Sequence, residues 1–120
     1  TGVAVEGDAA SGQDLTLNAA QADGRLTVQL GPVEEAAASI PARRPDVVVV
    51  DPPRTGLSAE VADGLLRWES ARVVYVSCDV PTLARDAAKF VAAGYRLSSI
   101  DALDMFPNTP HVECVAVFDR

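Results

Sequence analysis

The chain has 120 residues, a length that suits one modest domain and does not suit two. Its 48% hydrophobic and 22% charged content is typical of a globular protein, and no apolar run approaches the roughly 20 residues of a membrane span. A net charge of −7 argues against an RNA-binding module in this segment alone, since phosphate contacts need clustered Lys and Arg. The two cysteines indicate no disulfide framework, so we expect a reduced, cytoplasmic setting.

Strand and helix signals alternate through the first third of the chain. Gly2–Glu6 is predicted as a short apolar strand, and the Ala-rich stretch Gly12–Ala22 as a helix. Leu26–Leu30 alternates apolar and polar residues, which is typical of a half-buried strand. A short helix is then predicted over Val33–Ile40, followed by a turn over Pro41–Pro45.

The alternation continues in the middle of the chain. Four consecutive valines, Val47–Val50, predict a strand that is buried on both faces, as in a parallel sheet under helices. Pro52 follows this strand, and Ser58 is a candidate N-cap for the next helix. A second buried strand is predicted over Arg72–Ser77 and a helix over Thr82–Ala93.

The last two predicted strands have no helix between them. They are Tyr95–Leu103 and His111–Phe118, joined by a loop over residues 105–110. A connection of this length permits a hairpin, so we expect the last strand to be antiparallel to the others. The whole pattern predicts an α/β domain with a mostly parallel sheet. Ligands of such sheets bind at the carboxyl ends of the strands, where three groups of polar residues lie.

The first two groups each follow a buried strand. Asp51 leaves the valine strand for the turn Pro-Pro-Arg54-Thr-Gly-Leu, which would hold its carboxylate rigidly at the sheet edge. The alternative is a stiff turn with a solvated Asp51 and Arg54. Cys78 lies between a strand end and a helix start, and a helix N-terminus favours the nucleophilic thiolate. The alternative there is a small cysteine packed in the core.

The third group surrounds an acid in the last strand. Burying Glu113 among apolar residues is costly unless the carboxyl group is paired or protonated, a setting that suits a general base. The alternative is an edge-strand carboxylate that faces water. His111 is the only histidine and is predicted to form structural hydrogen bonds, so no metal site is predicted. Cys114 lies on the opposite face from Glu113 and is predicted to pack in the core.

Taken together, three ordered motifs resemble those of the RNA uracil-C5 methyltransferases, which modify tRNA or 23S ribosomal RNA. The motifs are Asp51-Pro-Pro-Arg-x-Gly, then Tyr75-Val-Ser-Cys78 with Thr82-Leu-Ala-Arg-Asp86, then Asp104-Met-Phe-Pro-x-Thr-x-His-Val-Glu113. Residues 3–7 also resemble the second cofactor strand of the family. The resemblance implies a Rossmann-like class I methyltransferase sheet with strand order 3-2-1-4-5-7-6. Residues 1–120 would then be the C-terminal portion of one catalytic domain, without its first strand.

The resemblance also implies a role for each candidate residue. Cys78 would add to carbon 6 of the uracil, and Glu113 would remove the carbon 5 proton. Glu6 would hold the ribose hydroxyls of S-adenosylmethionine, and Asp51 would lie beside the cofactor and the target base. Arg54 would contact RNA phosphate or brace its loop, and the sequence leaves both readings open. The implied partner is RNA, either tRNA or 23S rRNA, in the full-length enzyme, with no membrane and no metal.

Two alternatives accompany this interpretation, and the chain departs from the family pattern in several places. A methyltransferase acting on an exocyclic nitrogen has a similar Asp-Pro-Pro turn, and a non-catalytic α/β domain could bind RNA or protein. After Cys78 the family commonly continues Asn-Pro, whereas this chain has Asp79-Val80-Pro81, so we expect a reshaped turn. The Gly-rich first strand and loop of the family are missing before Thr1, so we expect weak or no binding of S-adenosylmethionine by the 120 residues alone.

Overall fold

The computed structural model describes residues 1–39 and 44–120 of the chain. Their contacts form two compact units, Thr1–Pro41 and Ala42–Arg120. The turn predicted over Pro41–Pro45 lies mostly outside the described residues, as does Ile40, the predicted end of the second helix. Among the helices that are described, none is both long enough and apolar enough to cross a membrane.

The first unit pairs two parallel strands and adds two helices. Its elements are β1 Gly2–Glu6, α1 Ala9–Ala19 with a short 3-10 turn over Ala20–Ala22, β2 Leu26–Leu30 and α2 Val33–Ser39. α1 begins three residues before the predicted Gly12, because the Asp8 carboxylate accepts a hydrogen bond from Ser11 N–H at 2.8 Å and caps the helix. This hydrogen bond also lowers the pKa of Asp8.

The second unit is a four-stranded sheet with two helices. Its elements are β3 Val47–Val50, α3 Ala59–Trp68, β4 Arg72–Ser77, α4 Val80–Ala92, β5 Arg96–Leu103 and β6 Glu113–Asp119. The strand order is β3-β4-β6-β5, with β3 and β4 parallel and β6 antiparallel to both of its neighbours. The predicted antiparallel last strand is therefore confirmed, and so is its place between the two strands that precede it in the chain.

The core of the second unit lies on one face of this sheet. Alternate residues of β4 and β6 are buried, and Phe90 of α4 stacks against Phe118 at 5.2 Å between ring centroids. The expectation that the valine strand is buried on both faces is wrong. Val48 and Val50 pack against the core, but Val47 and Val49 are 50% and 66% exposed. The reason is that the side chains of α3 and α4 join the core only on the face of Val48 and Val50.

An ion pair joins the sheet strands at the end away from Cys78. Arg72 Nε donates to Asp119 Oδ1 at 2.7 Å, and Ser98 Oγ donates to Asp119 Oδ2 at 2.7 Å, so β4, β5 and β6 meet at one carboxylate. These hydrogen bonds, first that of Arg72 and then that of Ser98, lower the pKa of Asp119 from 3.8 to about 2. The folded chain therefore favours the ionised form of Asp119.

This pKa shift predicts how the stability of the sheet depends on pH. A lowered pKa in the folded state means that the stabilisation is complete above pH 3.8 and is lost as the pH falls toward about 2. We expect Asp119→Asn to reduce the free energy of unfolding at neutral pH, and the difference from the native chain to shrink across this window. Urea unfolding at a series of pH values measures it. A difference that stays constant down to about pH 2 would contradict the assignment.

Candidate active site

The antiparallel pairing of β4 with β6 brings Cys78 and Glu113 to the same end of the sheet. The last pair of the ladder joins Ser77 with Cys114, and Cys78 follows Ser77 while Glu113 precedes Cys114. The two residues therefore both lie next to the last pair of this ladder. Cys114 is buried in the core and Glu113 is half-buried, which confirms that they lie on different faces.

A cleft of about 340 Å³ opens at this end of the sheet, and its volume suits a small ligand. The residues that line it are Arg54, Cys78, Phe106, His111 and Glu113. Three of the five candidate site residues are thus brought together. Cys78 and Glu113 share one cleft, as expected from their positions at a strand end and in the last hairpin.

Hydrogen bonds of the two residues next to Cys78 stabilise the turn that carries it. Ser77 Oγ donates to the carbonyl of Asp79 at 2.9 Å and accepts from Asp79 N–H at 3.1 Å. The Asp79 carboxylate accepts from Thr82 N–H at 2.9 Å and caps α4, and Pro81 lies in the first turn of that helix. Hydrogen bonds to Thr82 are the main reason why the pKa of Asp79 is lowered. This chain lacks the Asn-Pro of the family, but the helix that follows the half-buried Cys78 is still capped.

A buried carboxylate holds the loop between β3 and α3. Asp86 of α4 is fully buried, and its Oδ2 accepts from Leu57 N–H at 2.9 Å and from the Tyr75 hydroxyl at 2.8 Å. Its Oδ1 accepts from Arg85 at 2.9 Å. Burial, the largest effect, raises the pKa of Asp86, but these hydrogen bonds and the charge of Arg85 outweigh it and the net pKa is lowered. The pKa of Tyr75 is raised by its burial and then by the adjacent Asp86.

Further hydrogen bonds from α4 join the first two sequence motifs. Arg85 donates to the carbonyl of Thr55 at 2.9 Å, and Thr82 Oγ1 donates to the carbonyl of Arg54 at 3.0 Å. Gly56 follows Thr55 and precedes Leu57, and its φ of +77° favours glycine. A Cβ atom there would collide with side-chain atoms of Thr82, Arg85 and Asp86. The loop therefore approaches α4 as closely as a glycine permits.

Arg54 joins the first motif to the third. Its Nη2 lies 2.5 Å from His111 Nδ1, and because a guanidinium can only donate, Nδ1 is the acceptor. The N–H of His111 donates in turn to Thr109 Oγ1 at 3.3 Å. This confirms the prediction that His111 forms structural hydrogen bonds. The role of Arg54, in bracing its loop or in contacting RNA phosphate, stays a prediction. No group of three or more residues that could bind a metal is found within residues 1–39 and 44–120.

The two remaining candidate residues lie outside the cleft lining. Asp51 is exposed directly after β3, one strand away from Cys78. Glu6 ends β1 in the first unit, where its Oε1 accepts from Asp8 N–H at 2.8 Å. Each carboxylate thus stands at the carboxyl end of a parallel strand. Their roles toward a cofactor stay predictions.

Sequence reasoning assigned no role to Asp86 or Phe106, although both lie within quoted motifs. Leu83, Asp86 and Phe90 are the buried residues of α4, and their spacing puts a carboxylate on the apolar face of the helix. That position was a usable signal, because a buried acid needs partners. Phe106 gave no comparable signal, since it is a single aromatic residue in an irregular loop.

The close approach of the loop predicts a large effect of Gly56→Ala. We expect a loss of about 1–2 kcal/mol from the left-handed backbone and about 1–3 kcal/mol from the clash with α4. Gly94→Ala is the matched control, because its φ is +93° and an added Cβ would meet nothing within 4 Å. Denaturant unfolding compares the two variants. Equal losses at both positions would show that the clash with Asp86 and its neighbours contributes nothing.

Comparisons with known proteins agree with the three motifs. The model of the tRNA (Uracil-5-)-methyltransferase family matches residues 41–120. An uncharacterized RNA methyltransferase of Gloeobacter violaceus is 51% identical over 83 residues, which is 69% of this chain and 18% of that protein. The 23S rRNA (uracil(1939)-C(5))-methyltransferase RlmD of Alcanivorax borkumensis is 48% identical over 75 residues, which is 62% of this chain and 17% of that protein.

A solved structure extends the similarity to the first unit. It is the Pyrococcus abyssi tRNA (uracil-54, C5)-methyltransferase in complex with S-adenosyl-L-homocysteine, with a TM-score of 0.81 and 32% identity. The match covers 97% of this chain and 28% of that one, and it bears out the Rossmann-like fold. The chain thus spans less than a third of each relative. Because the family model matches more than half of its residues, this chain belongs to the tRNA (uracil-5-)-methyltransferase family.

Proposed function

We propose that this chain carries the residues that methylate carbon 5 of a uridine in RNA through a covalent adduct with Cys78. The observation that supports this most is the cleft that Cys78 and Glu113 share. Family membership supports a uracil-C5 reaction, and the relatives named above are described as acting on tRNA in one case and 23S rRNA in another. Either RNA fits the proposal. A cytoplasmic setting and the place of residues 1–120 within one catalytic domain stay predictions.

The proposed role of Cys78 follows from the weak reactivity of the base. Carbon 5 of uracil is a poor nucleophile, so the reaction needs an activating step. The Cys78 thiolate forms a bond to carbon 6, the electron pair of the carbon 5–carbon 6 double bond forms a double bond between carbon 4 and carbon 5, and the electron pair of the carbon 4 carbonyl moves to its oxygen. Carbon 5 thereby becomes nucleophilic. The target base has to leave any stack to reach a half-buried thiol.

The proposed role of Glu113 comes after the methyl group has been added to carbon 5. Its carboxylate takes the proton from carbon 5, the electron pair re-forms the double bond, and the bond between carbon 6 and Cys78 breaks. The thiolate is thereby regenerated. The presence of both residues in one cleft suits this division, because carbon 5 and carbon 6 are neighbouring ring atoms. Arg54, fixed by His111, supplies a positive charge at the same cleft.

The methyl donor we propose is S-adenosylmethionine, whose sulfonium would transfer the methyl group to carbon 5 and leave as the neutral thioether S-adenosylhomocysteine. The similarity to a methyltransferase solved with S-adenosyl-L-homocysteine supports it. Glu6 suits the ribose hydroxyls, because its Oε1 is fixed by Asp8 N–H at the end of a parallel strand. Asp51 has the equivalent position after β3, where we propose that it contacts the cofactor and the base.

The proposal predicts different behaviour for the two cysteines. Cys78→Ala in the complete gene product should reduce methyl transfer to background and abolish the adduct with RNA that contains 5-fluorouridine, because no thiolate can reach carbon 6. Cys114→Ala is the matched control, since Cys114 is buried on the core face and should keep adduct formation. Denaturing gel electrophoresis detects the adduct. Turnover by Cys78→Ala near the native rate would favour a methyltransferase acting on an exocyclic nitrogen, and no turnover by the native protein would favour a non-catalytic domain.

A second variant separates the two chemical steps. Glu113→Gln should still form the methylated adduct with ordinary RNA but release it slowly, because only the proton abstraction is lost. A general base typically contributes about 10²–10⁴-fold, so we expect kcat to fall by that factor while the adduct accumulates. Glu60→Gln, an exposed position of α3, serves as the control. Loss of adduct formation in Glu113→Gln would show that Glu113 acts before methyl transfer, contrary to the proposal.

A further inference from the structure

We propose that Phe106 is the surface on which the ring of the target uracil stacks. The inference rests on the proposed function, which assigns the thiol and the carboxylate of the cleft but no group that holds the base in place. Phe106 is the one residue with a hydrocarbon ring among the five that line the cleft, together with Arg54, Cys78, His111 and Glu113. The planar groups of Arg54 and His111 are polar and contact each other, so Phe106 offers the flat apolar surface there.

The exposure of Phe106 indicates that its ring is available for a ligand. The residue is 49% exposed and does not belong to the hydrophobic core of the second unit, nor to the partly buried residues packed against it. Core packing therefore does not explain why an aromatic ring lies here. An aromatic ring beside a nucleophile and a carboxylate suits a planar base that has left its stack.

The backbone of Phe106 is held in place although its ring is exposed. Its carbonyl accepts hydrogen bonds from Thr109 N–H at 3.1 Å and from Thr109 Oγ1 at 2.7 Å. Asn108 between them adopts a left-handed φ of 65°, which closes the turn. Thr109 Oγ1 also accepts from His111 N–H, and the His111 ring contacts Arg54. Through these contacts, the turn that carries Phe106 is connected to the loop that follows β3.

Stacking would also compensate part of the cost of extracting the base. A flipped base loses its neighbours in the RNA, at a cost of a few kcal/mol that contacts in the pocket must offset. Stacking on an aromatic side chain stabilises a bound base without reading its edge. Because a thiolate adds to carbon 6 perpendicular to the ring plane, Phe106 would cover one face of the base and Cys78 would approach carbon 6 from the other face. Phe106 would thus be a substrate-binding residue that takes no part in the chemical steps.

Steady-state methylation of unmodified tRNA and 23S rRNA transcripts by the complete gene product tests this role. Phe106→Leu keeps an apolar side chain but removes the ring, and we expect KM for the RNA to rise about 5- to 100-fold with kcat within about twofold. Phe106→Trp should keep KM near the native value, because it restores a stacking surface. Its indole fluorescence should also be quenched when RNA containing 5-fluorouridine is added, beyond the change seen for the native protein, whose other tryptophans, Trp68 included, give the background.

The adjacent Met105 provides the matched control. It is 62% exposed and does not line the cleft, so Met105→Leu should leave KM and kcat unchanged. An unchanged KM in Phe106→Leu, or a loss of kcat alone, would overturn the stacking role while adduct formation through Cys78 still supported the proposed function. Absence of both methylation and adduct in the native protein would overturn the proposed function, and the stacking role with it.

Discussion

The buried carboxylate of Asp86 is the interaction on which the arrangement of the site depends. It is fully buried, yet hydrogen bonds from Leu57 N–H, the Tyr75 hydroxyl and Arg85 keep its pKa low and its charge in place. Removing one partner of such a group leaves a buried polar atom unsatisfied, which costs about 1–3 kcal/mol or more. Through Asp86, one end of the loop that carries Asp51 and Arg54 is tied to the helix that begins directly after Cys78.

The direction of β6 is the second constraint. A strand parallel to β4 would place its first residue at the opposite end of the sheet from Cys78, whereas the antiparallel ladder brings Glu113 to the same end as Cys78. The pairing also separates the residues that pack in the core from those that line the cleft. Ser77 and Cys114, the last pair of the ladder, are both buried. Two cysteines of one chain thus have different surroundings because one lies on the core face of the sheet and the other lines the cleft.

Much of this could be predicted from the sequence because the signals were local. The hairpin followed from the short connection before Glu113, and the helix after Cys78 followed from an apolar face that ends at a glycine. What could not be predicted was set by tertiary contacts. Four valines do not reveal that only one face of their strand is covered, and an irregular loop does not reveal that Phe106 lies beside Cys78. Asp86 could be predicted only in part, because its position on the helix indicated burial but did not identify its hydrogen-bond partners.

We propose that Cys78 and Glu113 act on neighbouring atoms of one uracil held in the cleft that both residues line. The most direct measurement is the structure of the complete gene product trapped on RNA that contains 5-fluorouridine. We expect a bond from Cys78 Sγ to carbon 6, the Glu113 carboxylate within hydrogen-bond reach of the substituents on carbon 5, and the ring of Phe106 against the base. A base bound outside this cleft, or a carbon 6 that has no bond to Cys78, would contradict this proposal.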